Sequence, residues 1–254
     1  MYDQKNPMFE ATSGTKSNRY TRYLIEFIVI VFGITASFWV EEYREGLQNN
    51  AAEKKVLQSL LMELDEIELY CNNRITSYSS DLEIIQMLLD DTAETDLDFE
   101  QSVGSIFPIQ VAIYDYRGFQ PPMVRYQSIL NEGSFKYVSS DAIKTKFNEL
   151  NTASLALIEG NVAQEKDIQY TISLHLSKRY PDLITDFDGD KEYNPDYIEK
   201  IENILAQDDE LRALLKLKFR FAAVKLYFVG EYAKIARELN VLIHEDLNIT
   251  PVDS

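Results

Sequence analysis

Residues 23–40 read YLIEFIVIVFGITASFWV, and this stretch decides how the chain is organised. Its only formal charge is Glu26. As a helix it spans about 27 Å at 1.5 Å per residue, close to the hydrocarbon thickness of a bilayer, with aromatics near both ends to reach the interfaces. A cleaved signal peptide needs a small-residue cleavage site after its apolar run, whereas this one continues into FWVEEYRE. It therefore reads as an uncleaved signal anchor, and a soluble core helix would not be apolar on every face for five turns.

The flanks set the expected orientation. Lys16, Arg19 and Arg22 precede the segment, while Glu41, Glu42 and Glu45 follow it with only Arg44 among them. The positive-inside rule then puts the N-terminus in the cytoplasm and everything after residue 40 beyond the inner membrane, in the periplasm. The chain's net charge of -17 over 254 residues divides into +1 for residues 1–40 and -18 for the remainder. Such a balance excludes a nucleic-acid binder that works by bulk positive charge.

Inside the span, Glu26 reads first as an interfacial carboxylate favoured by the helix N-terminus and by Arg22. Two other readings are a pairing across helices in an oligomer and an ion or proton path. Gly33 and Ser37 have the small-xxx-small spacing that permits close helix approach, and Trp39 sits at the far interface. Glu26, Gly33, Ser37 and Trp39 are thus the candidate membrane-assembly residues.

Beyond the span the pattern predicts a mostly α protein in five parts. Residues 1–22 form a short cytoplasmic tail, 23–40 the transmembrane helix and 41–90 a long helix or stalk. Residues 91–122 form an acidic linker and aromatic-rich loop, and 123–250 a helical domain packing on the long helix. A helix unbroken to Asp90 would be about 100 Å long. Leu60, Leu64, Ile67, Cys71, Ile75, Tyr78, Leu82, Ile85 and Leu89 make a coiled-coil-like seam along it.

The segment Ile109–Tyr116 is rich in strand formers, and with no partner strand it is expected as an extended loop packed on helices. Local signals place the later helices: a stop at Gly133, an N-cap at Ser139, Ser140 or Asp141, a stop at Pro181, and a start at Pro195. A final helix is expected from Asp208 to Asp246, with Leu211, Leu214, Leu215, Phe219, Ala222, Leu226 and Val229 on its apolar stripe.

Little in the sequence points to chemistry. Asp186, Asp188 and Asp190 alternate within TDFDGDKEYNPD and are weak calcium candidates, but Gly189 stands fourth where an EF-hand loop has it sixth, and Tyr197 takes the place of the twelfth-position acid. A solvated acidic turn is the expectation. His175 and His244 have no spaced ligand partners, Cys71 is the single cysteine, and no nucleophile, phosphate-loop or dinucleotide motif occurs. No enzyme activity and no cofactor are expected. Lys216, Lys218, Arg220 and Lys225 form a basic cluster in an acidic chain. They are expected to pair with Glu63, Asp65, Glu66 or Glu68, or else to form a docking patch for an acidic partner or lipid headgroup.

Two stretches, EFIVIVFGITASFWVEEYRE from Glu26 and RYQSILNEGSFKYVSSDAIKTKFNEL from Arg125, together resemble the DUF6090 family of single-pass bacterial membrane proteins. Glu26, Gly33 and Ile34 match its acid-to-Gly-Ile spacing, Tyr43 stands in the place of a Trp, and Asn131-Glu132-Gly133 in that of a Ser-Gly turn. The resemblance implies topology and no particular activity. The functional expectation is an extracytoplasmic helical interaction or scaffold protein, bound to the lipid bilayer and assembled with copies of itself or another membrane protein. A pore-forming oligomer with Glu26 in its lining is the alternative, and a ligand sensor the third reading.

Overall fold

The computed structural model describes residues 17–90, 106–185 and 195–248, which are helical almost throughout and contain no strand. The seven longer helices are α1 (Ser17–Leu89), α2 (Ile106–Tyr114), α3 (Val124–Asn131), α4 (Asp141–Asn148), α5 (Leu155–Arg179), α6 (Pro195–Gln207) and α7 (Asp209–Leu247). A 3₁₀ turn, Ser134–Tyr137, separates α3 from α4, and a π-helical stretch, Glu149–Ser154, joins α4 to α5. A single turn, Asp182–Thr185, follows α5. The chain forms two compact units, Met1–Ala52 and Glu53–Ser254.

In the first unit the described residues are all α1. Every side chain from Tyr20 to Ala51 is exposed. The hydroxyls of Thr35 and Ser37 donate to the carbonyls of Val31 and Gly33, each at 2.8 Å, so these polar side chains are satisfied by their own helix.

In the second unit, α1 and α7 each bury one stripe at alternating intervals of three and four. On α1 the stripe runs through Leu57, Leu60, Leu64, Ile67, Cys71, Tyr78, Ile85 and Leu88; on α7 through Leu211, Leu215, Ala222, Val229, Tyr232, Ala236, Leu239 and Ile243. Continued without a break, each series passes through charged residues: Arg74 and Asp81 on α1, Lys218 and Lys225 on α7. The expected seam at Ile75, Leu82 and Leu89 is corrected accordingly, since all three are only partly buried while Ile84 and Leu88 are buried. The helix keeps its seven-residue register and places charge at two inward positions.

Asp81, Lys218 and Lys225 lie where the interior divides into two apolar clusters. One gathers α1 up to Tyr78 with Phe119, Ile129, Phe147, Ile158 and α7 from Val229 onward. The other gathers Ile84, Ile85 and Leu88 with α2, the second half of α5, α6 and the start of α7.

The chain from Asp115 to Ser139, irregular up to Met123 and then including α3 and the 3₁₀ turn, is held antiparallel along α1 by a ladder of side chains. Asp81 pairs with Arg117 at 2.6 Å, the Tyr78 hydroxyl donates to the Gly118 carbonyl at 3.0 Å, and the Tyr70 hydroxyl accepts the Gln120 N–H at 2.6 Å. Glu63 accepts the N–H groups of Arg125 and Tyr126, each at 2.7 Å, and Glu53 accepts that of Ser139 at 2.5 Å. Glu63 thereby caps α3, whose own N-cap residue, Met123, offers no side-chain acceptor. Burial raises the Glu63 pKa and these two backbone hydrogen bonds partly offset that.

Most local signals act as expected. Gly133 ends α3 at φ +69°, a left-handed conformation that suits glycine. Ser140 caps α4 through the Ile143 N–H, α5 stops before Pro181, and Pro195 opens α6. The exception is Ile109–Tyr116, where α2 replaces the expected extended loop. Ile109, Ala112 and Ile113 share one helical face and are buried on the second cluster, so packing overrides the strand-like composition. Pro108 lies in the first turn, where its missing N–H costs no helical hydrogen bond.

Candidate functional site

The polar layer between the two clusters is built on Lys218 and Lys225. They lie seven residues apart on the inward face of α7 and are 2% and 1% exposed. Lys218 Nζ donates to the Ile113 carbonyl at 3.0 Å and the Asp115 carbonyl at 2.6 Å, supplying a positive charge at the C-terminus of α2. Lys225 Nζ is paired with Glu165 on α5, lies 4.2 Å from the centroid of the Tyr78 ring, and reaches the Arg117 carbonyl at 3.4 Å. The lysines thus satisfy carbonyls of the irregular chain where it passes through the interior, groups that would otherwise be buried without donors.

Burial acts against the charge on both amines. It pushes Lys218 down to about 8, with Glu165 and Asp81 opposing the shift, and it lowers Lys225 against the attraction of Glu165. Burial raises the Cys71 thiol to about 12, which leaves it inert at neutral pH.

A second network joins α5 to α7. Asp208 caps α7 through the Leu211 N–H at 3.0 Å, and its other oxygen accepts from Tyr180 at 2.9 Å and Arg179 at 3.3 Å and lies 2.7 Å from His175 Nε2. Burial opposes ionisation of this carboxyl, but the hydrogen bonds from Leu211, His175 and Tyr180 outweigh it and hold the group well below the usual carboxylate range. The His175 ring is pinned between Asp208 and Glu210, the latter at 3.5 Å. Among the described residues no group of His, Cys, Asp and Glu has the arrangement of a metal site.

The candidates read from sequence fall as follows. Glu26 accepts from Arg22 Nε at 3.1 Å, an exposed pair one helical turn apart. Gly33 has open space around it, Ser37 turns its hydroxyl back to Gly33, and Trp39 is exposed. Asp186, Asp188 and Asp190 lie outside the described residues. The basic cluster does not share a surface: Lys216 and Arg220 are exposed, whereas Lys218 and Lys225 are interior.

The acids expected to neutralise that cluster pair elsewhere. Glu66 meets Arg125 at 2.7 Å, Glu68 meets Arg237 at 3.7 Å, and Asp65 accepts from Asn240 at 2.8 Å. The buried lysines were legible in one respect, since the steps of three and four along Leu211, Leu215, Ala222 and Val229 pass through both. Their partners, Glu165 for Lys225 and the Ile113 and Asp115 carbonyls for Lys218, lie far away in sequence and carried no signal.

Comparison with protein-family models, curated proteins and solved structures gives no match to this chain. The class that fold and sequence define is a helical protein in which, among the described residues, one helix near the N-terminus is long and apolar enough to cross a membrane.

Proposed function

We propose that the chain is a single-pass membrane-anchored interaction or scaffold protein, with residues 23–40 in the bilayer, the N-terminus cytoplasmic and the helical domain extracytoplasmic. The observation that carries this reading is the uncovered apolar surface of α1. Phe32 is 75% exposed and Trp39 79%, and no described part of the chain shields them. A continuous apolar surface of that extent on every side of a helix is unfavourable in water and matched by lipid. The single charge within the segment is already paired with Arg22, which favours an interfacial Glu26 over one lining a pore.

The domain's interior supports binding over catalysis, because its buried charges are occupied in holding its own backbone. The proposed partners are the bilayer, further copies of the chain or another membrane protein, and the DUF6090 resemblance belongs to the same proposal. The test is extraction of membranes with alkaline carbonate. The full chain stays with the pellet, and deletion of residues 23–40 releases it. Release of the full chain would sink the anchoring. Glu26→Gln leaves the assembled size in detergent unchanged under the interfacial reading, and a loss of assembly would favour pairing across helices instead.

A further inference from the structure

Besides its buried face, α7 carries a second apolar row. Leu217, Phe221, Val224 and Phe228 recur at steps of four, three and four, and each stands one residue before a member of the inward series Lys218, Ala222, Lys225 and Val229. One residue is a rotation of about 100°, so the row lies beside the buried face and not on it. Leu217 and Val224 are exposed, Phe221 is half-buried, and none of the three packs into either apolar cluster. Tyr227, also exposed, holds its ring 5.8 Å from that of Phe228 and widens the row.

Charge is unevenly placed along this row. Lys216 and Arg220 flank Leu217 at one end, and Glu231, three residues beyond Phe228, closes the other. All three are exposed, and among the described residues none of them makes an ion pair. Leu217 stands seven residues before Val224 and Glu231 seven after, about two helical turns each way. An antiparallel second copy of α7 centred on Val224 therefore sets its Glu231 against Leu217, between Lys216 and Arg220, and two-fold symmetry repeats the arrangement at the other end. A parallel copy in register would oppose like charges, and an acidic partner of another kind would leave Glu231 facing acid.

We propose that this row is a self-association surface, on which the α7 helices of two copies pair antiparallel about Val224. The proposal rests on the reading of the chain as an interaction protein and names its partner as a second copy. The surface lies wholly within Glu53–Ser254, so it does not depend on residues 23–40 crossing a membrane. A seam one helix wide falls short of the roughly 800 Å² per partner of a standard interface, and the dimer is correspondingly weak, with a Kd of micromolar order.

The test uses the full chain in detergent. In a Cys71→Ser background, Val224→Cys places the new thiol on the two-fold axis, whereas Val241→Cys places it on an exposed part of the same helix outside the row. Mild oxidation converts Val224→Cys to a disulfide-linked dimer and leaves Val241→Cys monomeric. Sedimentation equilibrium then reads the charge pairs without any cross-link. Arg220→Glu and Glu231→Arg each weaken the dimer about tenfold, because each pair occurs twice, and the two changes combined restore it, all with an unaltered far-ultraviolet spectrum. A full chain that sediments as a monomer, equal cross-linking through Val241→Cys, or charge reversals whose effects add instead of cancelling overturns the proposal. None of these outcomes bears on whether carbonate releases the chain from membranes, so the anchoring reading stands or falls separately.

Discussion

Replacing Lys225 by Met tests the buried polar layer directly. Its ammonium and the Glu165 carboxylate are paired in an interior where both side chains are almost wholly inaccessible, at 2% and 4% exposure. Removing one partner strands the other without water, and such breaks cost about 3–5 kcal/mol. A domain of this size loses about 2–4 °C of melting temperature per kcal/mol, so Lys225→Met and Glu165→Leu should each lower it by roughly 10 °C. The double variant, which leaves no stranded charge, should recover to within about 1 kcal/mol of the parent, because apolar replacement of a buried pair is often close to neutral. Thermal unfolding of the full chain in detergent, followed by the near-ultraviolet dichroism of its tyrosines, reads all four forms. Single variants that each cost under about 1 kcal/mol, or a double variant whose loss equals the sum of the singles, would refute the layer as a coupled, dry pair.

Lys218→Met should change how stability depends on alkali. In the native state this amine titrates near 8, below its ordinary 10.5, so between those values the unfolded chain holds a proton that the native chain lacks and stability rises with pH. The parent should gain on the variant by about 1.4 kcal/mol per pH unit, up to about 3 kcal/mol across the window, and a flat difference in denaturant titrations would contradict it. Asp208→Asn removes a carboxylate whose native pKa is depressed. Its cost of about 2 kcal/mol or more at pH 7 should shrink as the pH falls below the unfolded value near 4, and a cost independent of acid would count against the network. Gly133→Ala should cost about 1–2 kcal/mol by denaturant midpoint, because φ +69° disfavours a Cβ although the space around it is open.

What could be read from the sequence was what local chemistry dictates. A serine cap at Ser140, prolines at 181 and 195, an aspartate at 208 and a glycine at 133 each act within one helical turn, and each sits where its signal indicated. The helix α2 was hidden because Ile109, Val111 and Ile113 favour strands intrinsically, and only the apolar cluster beneath them decides the matter. The interior lysines were hidden for a different reason. Phe219 and Leu226 offered an apolar stripe one position away from Lys218 and Lys225, and the charged side chains take the inward place because Glu165 and backbone carbonyls more than 100 residues upstream receive them.

The anchoring of residues 23–40 with the helical domain on the far side is tested most directly by labelling from one face of the membrane. In a Cys71→Ser chain, a single cysteine is placed at Ser13 or at exposed Glu159, and spheroplasts are treated with a membrane-impermeant maleimide. Glu159→Cys should react in intact spheroplasts, and Ser13→Cys only after the membrane is opened. Labelling of Ser13→Cys from outside, or protection of Glu159→Cys until lysis, would contradict the account.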